Sequence, residues 1–304
     1  MKTRPTVLYD VPGPRARRRN LLWTLLFLLA LAAVLWWVVA SLVDKNQLAW
    51  DKWAPFFTDA RVWETYILPA LKNTVIAAGL SMAIALPLGA LLGIFRLSDH
   101  RAVRATAGTV VEFFRAIPVL ILMLFADAAY SQFTGISPET RPLYAVVTGL
   151  VLYNASVLAE IVRAGILALP AGQTDAAKAI GMRKGQTMTY VLLPQSVTAM
   201  LPALVGQLVV IVKDTALGGA MLGFSELLAS VRPMSANYGA NTIACFTVVA
   251  VIFVVLNFAL TTFASWLEGR LRRGRKSTGA VVGAEAVAEL AVPGERPGPT
   301  DTTR

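Results

Sequence analysis

Six ionisable residues stand inside long apolar stretches of the sequence. They are Glu112, Arg115, Asp127, Glu160, Lys213 and Asp214. A charge at membrane depth is costly, so such groups usually form ion pairs, gates or the walls of a pathway for polar substrates. They are therefore candidates for translocation-pathway or gate residues. The amide of Asn154 joins them, since it can bond to a substrate or to a neighbouring helix.

Spacing separates these candidates into groups. Glu112 and Arg115 lie three residues apart, on one face of a helix, and can pair there. Glu160 and Arg163 repeat that spacing. For both pairs an interfacial ion pair and a gating role remain open. Asp127 lies nearer the other end of its stretch and can face either the pathway or water at its mouth.

Lys213 and Asp214 interrupt the fifth apolar stretch near its middle. Because they are adjacent, they point in different directions from a helix. The glycines Gly218, Gly219 and Gly223 follow. This pattern predicts a broken or closely packed helix that lines a cavity, and it favours a pathway role for the two charges.

Several kinds of chemistry are excluded by composition. The chain has one histidine, His100, and one cysteine, Cys245, which together cannot form a zinc site or an intramolecular disulfide. The clustered polar residues of a membrane enzyme are missing. The sequence also lacks the Gly-x-x-x-x-Gly-Lys-Ser/Thr phosphate loop. We therefore expect no bound cofactor, and any ATP must be hydrolysed by a separate subunit.

The elements that position these residues are apolar blocks. The chain is 56% hydrophobic and 15% charged, with a mean hydropathy of +0.61. Each block approaches or exceeds the roughly 20 residues that cross a hydrocarbon core. The blocks cover about residues 21–43, 67–95, 107–130, 143–162, 196–224 and 242–267. The sequence thus predicts an all-α integral membrane protein with about six transmembrane helices, of which the first is too long for a signal peptide.

Basic residues predict the orientation. They cluster at residues 15–19, 96–104, 163–184 and 270–276. Positively charged loops stay in the cytoplasm, so both termini and the loops 96–106 and 163–195 are predicted to be cytoplasmic. This arrangement also explains the net charge of +10, and contact with anionic membrane lipid is favoured over nucleic-acid binding.

We expect four regions in the chain. Residues 1–20 form a basic cytoplasmic N-terminus, and residues 21–65 form the first transmembrane helix with its outer connection. A transport domain follows at 66–268, and residues 269–304 form a basic and then disordered tail.

The longest polar interruption between the later blocks carries a motif. It reads Asp175-Ala176-Ala177-Lys178-Ala179-Ile180-Gly181 and, nine residues later, Val191-Leu192-Leu193-Pro194. The motif resembles the signature loop of ABC-importer permeases at every interval. Asp175 stands where that family usually has Glu and keeps the charge. The resemblance assigns contact with an ATPase subunit to six residues: Asp175, Ala176, Ala177, Gly181, Leu193 and Pro194.

The loop has a local physical logic as well. Thr174 and Asp175 can cap a short helix, and the alanines favour a helix with little bulk on its surface. Gly181 allows the helix to end in a turn. We expect a second short segment from about Lys184, ended by Pro194, which begins the next span. The segment 170–195 would then be a rigid coupling helix and turn.

The flanking residues narrow the resemblance, which covers about residues 66–268, to the polar amino-acid branch. They include Glu112-Phe113-Phe114-Arg115-Ala116-Ile117-Pro118, residues 154–166, and Lys213-Asp214-Thr215-Ala216-Leu217. Glutamate-type permeases look most similar, partly through Val7-Leu8-Tyr9-Asp10-Val11-Pro12-Gly13-Pro14.

This resemblance implies a type I importer that moves a polar amino acid, glutamate or a related one, by alternating access. It implies as partners two copies of an ABC ATPase, a second permease subunit (identical or related), and an extracytoplasmic amino-acid-binding protein. The alternative is an ion-coupled secondary transporter or a channel. That alternative explains charges in the spans but not the 173–194 motif.

Overall fold

The computed structural model describes residues 13–273, and all regular secondary structure within this range is helical. The predicted disordered tail at 277–304 and the first part of the basic N-terminus, residues 1–12, lie outside it. The helices are α1 (Pro14–Asp44), α2 (Trp50–Trp53), α3 (Pro55–Thr58), α4 (Leu68–Phe95), α5 (Arg101–Ala116), α6 (Val119–Phe133), α7 (Arg141–Leu167), α8 (Ala171–Ala179), α9 (Lys184–Gln186), α10 (Leu193–Leu222), α11 (Val231–Asn237) and α12 (Thr242–Arg273).

Five helical segments of the described chain are long and apolar enough to cross a membrane. They are Pro14–Asp44, Val62–Phe95, Arg141–Leu167, Lys184–Leu222 and Thr242–Leu267. The pair α5 and α6 makes a sixth crossing if it is taken as one span. The all-α membrane fold with about six spans is therefore confirmed.

The third span differs from its sequence prediction. The sequence predicted one apolar block over residues 107–130 with Pro118 inside it, but α5 and α6 are separate helices at 99° to each other. Ile117 is extended, with ψ of 128°, as the residue before a proline tends to be. Pro118 then starts α6 without an N–H to donate backwards. This α5–α6 elbow turns α5 away from the direction of the bundle.

Two spans begin with a π-helical turn placed just before a proline. The turn Val62–Ile67 precedes Pro69, and the turn Thr187–Leu192 precedes Pro194. A proline ring clashes with the carbonyl four residues earlier, which falls inside the wider π turn in both cases. The helix therefore continues through each proline. The expectation that Pro194 separates a short helix from the next span is wrong, since Lys184–Leu222 is continuous.

Helix α7 is the centre of the bundle. Of its 18 most apolar consecutive residues, 67% are buried, whereas no residue of α1 is buried. Glycine makes this packing possible. A Cβ on Gly89 of α4 would lie 2.6 Å from the Leu158 Cβ, and one on Gly149 would lie 2.7 Å from the Met123 backbone nitrogen. Helices α4 and α6 thus approach α7 at backbone distance.

The two ends of the bundle have different loops. We call the end with the α4–α5 turn (residues 96–100) and the segment 168–195 the basic end. The end with residues 45–61, 134–140 and 223–241 is the far end. Since successive spans alternate in direction, the two groups of loops lie on opposite sides of a membrane.

Candidate coupling and pathway site

The coupling segment, residues 170–195, lies at the basic end. Asp175, Ala176 and Ala179 are exposed, while Ala177 is buried beneath them. Helix α8 starts at Ala171 after Pro170, so the expectation that Thr174 or Asp175 caps it is wrong. Pro170 preorganises the start of the helix, and this residue lies four positions before Thr174. Asp175 therefore lies within α8 with its side chain exposed.

Gly181 ends this helix as predicted. Its φ is +81°, and the backbone N–H groups of Gly181 and Met182 donate to the carbonyls of Lys178 and Ala177 at 2.9 and 3.0 Å. A Cβ at Gly181 would meet nothing within 4 Å, so conformation, not space, requires glycine here. The turn leaves Ile180 78% exposed, beside the exposed surface of α8.

The second half of the coupling segment is anchored to the bundle. Leu192 is buried in an apolar cluster with Val162, Ile166 and Met200 of α7 and α10, and Leu193 packs against that cluster. The motif therefore joins an exposed first half to a packed second half, which suits a rigid lever.

A cluster of charges lies at the basic end, where α4, α5 and α7 end. Glu160 accepts from Arg96 at 2.5 Å and from Arg163 at 2.6 Å, and the Arg115 guanidinium lies 3.9 Å away. The predicted Glu160–Arg163 pair is confirmed. Glu112 pairs with Arg96 at 3.1 Å instead of with Arg115, because α5 crosses the other helices and brings closer partners. We call these five residues the basic-end cluster.

The other pathway candidates occupy separate places. Asp127 accepts a 3.0 Å bond from the Arg141 Nε near the far end. Asn154 is fully buried, and its Oδ1 accepts from the Gln207 Nε2 at 2.6 Å. The amide thus joins α7 to α10, which is the helix-bonding role that the sequence left open.

Lys213 and Asp214 lie in the second half of α10, and they are exposed and half-buried respectively. The helix is unbroken here, and it is closely packed, since a Cβ on Gly218 would clash with Val146. Lys213 lines a groove of about 270 Å³ whose other walls are apolar residues of α10, α12 and the loop between α10 and α11. An adjoining groove of about 230 Å³ shares Leu228 and Phe246 and contains Arg232.

Sequence reasoning missed Glu226. It is fully buried at the far end, where its carboxylate accepts from the backbone N–H groups of Leu228 and Ala229 at 2.8 and 2.7 Å. Burial raises the pKa of Glu226, and the two N–H donors oppose that shift. The only sequence signal was a single acid after Gly223-Phe224-Ser225 and before Leu227-Leu228.

No group of three His, Cys, Asp or Glu side chains within residues 13–273 is placed to hold a metal ion.

Comparisons with known proteins agree with this architecture. The chain is 46% identical over 234 residues to the glutamate transport system permease protein GluD of Corynebacterium glutamicum. The alignment covers 77% of this chain and 85% of that protein. It is 29% identical to the arginine transport system permease protein ArgU of the same organism, over 87% of this chain and 85% of that one.

Solved structures share the fold. An amino acid ABC transporter crystallised with histidines matches 67% of this chain and 92% of its own, with a TM-score of 0.59 and 26% identity. The inward-facing MetNI methionine ABC transporter matches with a TM-score of 0.56 over 71% and 99% of the two chains, and at 23% identity this likeness concerns the fold alone.

These likenesses do not favour the ion-coupled alternative. A family model described as the binding-protein-dependent transport system inner membrane component matches residues 85–273. The chain therefore belongs to this family of ABC-importer permeases, and it is a multi-pass protein of the inner membrane.

Proposed function

We propose that this chain is the permease subunit of an importer for acidic amino acids, glutamate first among them. The observation that carries the proposal is the coupling segment, an exposed helix and turn fixed to α7 and α10 by a packed second half. ATP is hydrolysed by two copies of a separate ABC ATPase that grip this segment through Asp175, Ala176 and Ala179. The chain pairs with a second permease, identical or related, and receives substrate from an extracytoplasmic binding protein.

The groove beside α10 supports an anionic substrate. Lys213 and Arg232 line its two parts, and neither forms an ion pair within the described chain. No acidic side chain lines either part. A cation beside an apolar wall attracts a carboxylate more strongly than one in bulk water, because the wall lowers the local dielectric constant. Asp214 lines neither part of the groove and stays a separate pathway candidate.

The proposed topology places the basic end and both termini in the cytoplasm. Arg96, Arg101, Arg104, Arg183 and Lys184 all belong to this end, in agreement with the preference of positive loops for the cytoplasm. The far end then receives the binding protein. Substrate passes between these ends by alternating access, with Lys213 and Asp214 on its way.

Cross-linking tests the coupling segment. Cys245 is buried and can be replaced, for example by Cys245→Ala, before single cysteines are introduced at Ala176 or Ala179. We expect both to capture the ATPase in the assembled complex. The matched control is Glu139→Cys, which is exposed at the far end and should react with an impermeant thiol reagent from outside without capturing ATPase. An externally labelled Ala176→Cys would contradict the proposal.

Uptake tests the substrate. Proteoliposomes that contain the permease, its ATPase and its binding protein should accumulate radiolabelled glutamate in preference to glutamine and arginine. Lys213→Met and Asp214→Asn should each lower both uptake and substrate-stimulated ATP hydrolysis. Wild-type values for both variants would remove Lys213 and Asp214 from the pathway. Uptake that survives ATP depletion would instead support the ion-coupled alternative.

A further inference from the structure

Lys184, at the start of α9, connects the coupling segment to a part of the chain that is not its neighbour in sequence. Its ammonium donates to the Leu97 carbonyl at 2.7 Å and to the Asp99 carboxylate at 2.5 Å. Both acceptors belong to the α4–α5 turn, more than 80 residues earlier. The ammonium therefore bridges two segments that are far apart in sequence.

We call this contact, in which one ammonium bonds to two acceptors of the α4–α5 turn, the tie. One nitrogen holds two acceptors, one of them a backbone oxygen that cannot rotate away. The hydrogen bond from Lys184 is the main cause of the lowered pKa of Asp99, so the carboxylate is charged throughout the neutral range. Apolar contacts add to it, because Leu97 packs on the cluster that contains Leu192.

The α4–α5 turn continues the connection on its other side. Arg96 directly precedes Leu97, and it bonds to Glu160 of α7 and to Glu112 of α5. Within four residues, the turn thus contacts the coupling segment, α5 and α7. Chains of hydrogen bonds and packed side chains of this kind carry energetic coupling between distant sites. This chain leads from the coupling segment to α5, and so to the α5–α6 elbow.

We infer that Lys184 and Asp99 are a positioning pair that transmits movement of the coupling segment to the α5–α6 elbow. The inference rests on the proposed function, since it requires that an ATPase move this segment. Without the tie, the ATPase would still bind α8 and move α10, but α5 and α6 would no longer follow. ATP hydrolysis would then be less well converted into transport.

The test measures substrate molecules transported per ATP hydrolysed. The permease, ATPase and binding protein are reconstituted together with Lys184→Met or Asp99→Ala. We expect each variant to lower this ratio by roughly two- to 30-fold, the range seen for substitutions along coupling networks. The control, Arg101→Met, removes a cation from the same end that has no ion pair in the described chain and should keep the wild-type ratio.

A covalent tie provides the rescue. In a Cys245→Ala background, Lys184→Cys with Asp99→Cys should show a low ratio when reduced. A short bifunctional thiol linker should restore most of it, because it replaces the lost contact. A ratio that stays low after cross-linking would overturn the inference.

The outcomes separate this inference from the proposed function. If permeases with Ala176→Cys or Ala179→Cys capture no ATPase, the proposed function fails. If ATPase binds and both single variants keep the wild-type ratio, only the transmission by Lys184 and Asp99 is overturned. Loss of ATPase binding in Lys184→Met would also overturn it, since Lys184 would then act at the ATPase contact itself.

Discussion

Different interactions stabilise the two ends of the bundle. At the basic end, charged side chains from the α4–α5 turn, α5, α7 and the coupling segment bond to one another, as in Arg96–Glu160 and Lys184–Asp99. At the far end, polar side chains mostly bond to the backbone of a neighbouring loop. Asn73 donates to the Ser225 carbonyl, Thr74 accepts from the Leu227 N–H, and Asn241 donates to the Lys52 carbonyl.

This difference indicates how each end behaves. Ion pairs between partly exposed side chains are weak individually and can exchange partners at small cost. A buried polar group that satisfies a backbone N–H or carbonyl is costly to release, because the partner is left unpaired. We therefore expect the loops of the far end to move as one rigid unit, which we call the far-end cap, and the contacts of the basic end to rearrange when the coupling segment moves.

The largest expected effect on stability comes from a substitution that disrupts the far-end cap. In Gly219→Ala, the new Cβ would overlap the Glu226 carboxylate. Overpacking costs roughly 1–3 kcal/mol, and a displaced carboxylate leaves two backbone N–H groups without an acceptor, at about 1–3 kcal/mol each. The thermal unfolding midpoint of the detergent-solubilised permease should fall clearly. Gly206→Ala, in the same helix with nothing within 4 Å, is the control and should be neutral or slightly stabilising.

The next effect concerns Glu226 itself. Glu226→Gln keeps the size of the side chain but turns an amide group toward one backbone N–H, so we expect a loss of about 1–3 kcal/mol. Burial raises the pKa of Glu226, so the folded protein favours the protonated form of this side chain. Its contribution to stability is complete below the unfolded pKa and is lost as the pH rises through the folded pKa.

Thermal midpoints of the wild type and Glu226→Gln across pH 5–9 check this sign. The gap between the two proteins should be widest at the acidic limit and should narrow as the pH rises. A gap that widens toward high pH would show that Glu226 is bound as a carboxylate whose N–H donors outweigh its burial.

A smaller effect is expected at the basic end. Glu160→Gln removes the anion shared by Arg96, Arg115 and Arg163, whose side chains are 13%, 42% and 32% exposed. We expect a loss of roughly 1–2 kcal/mol, between the values for exposed and buried pairs. The loss should shrink as salt rises, since screening already weakens the wild-type pairs. Unfolding at low and high salt measures it, with Glu226→Gln as the variant whose loss should not depend on salt.

The smallest effect on stability should come from Asp99→Asn. Asp99 and Lys184 are 76% and 48% exposed, and exposed pairs contribute little, so the unfolding midpoint at neutral pH should match the wild type. The pKa of Asp99 is lowered, so its pair with Lys184 persists above the usual aspartate pKa and is lost as the pH falls through the lowered value. A large loss of stability at neutral pH would place this pair among the fixed contacts and end the contrast between the two ends.

Local sequence signals predicted most of the elements. Apolar blocks fixed the number and approximate limits of the spans, because a run of that length has no stable alternative to crossing lipid as a helix. Gly181 predicted the end of α8, since only glycine adopts its positive φ without strain. The spacing of the motif predicted the coupling segment, although α8 begins at Ala171 rather than at Thr174.

The tertiary structure decided which side chains meet. Arg96 and Glu160 are 64 residues apart, and Thr74 and Leu227 are 153 apart, so no local pattern could pair them. Glu112 pairs with Arg96 and not with Arg115, because the chain turns at Pro118 and α5 crosses the ends of α4 and α7. The burial of Glu226 likewise depends on Gly219 leaving space for its carboxylate. The sequence by itself determined the helices, the spans and the end of α8 at Gly181, because these follow from short-range propensity and apolar length. The partners of each charge were decided only when the helices packed, because contact across a bundle depends on the positions of all its members.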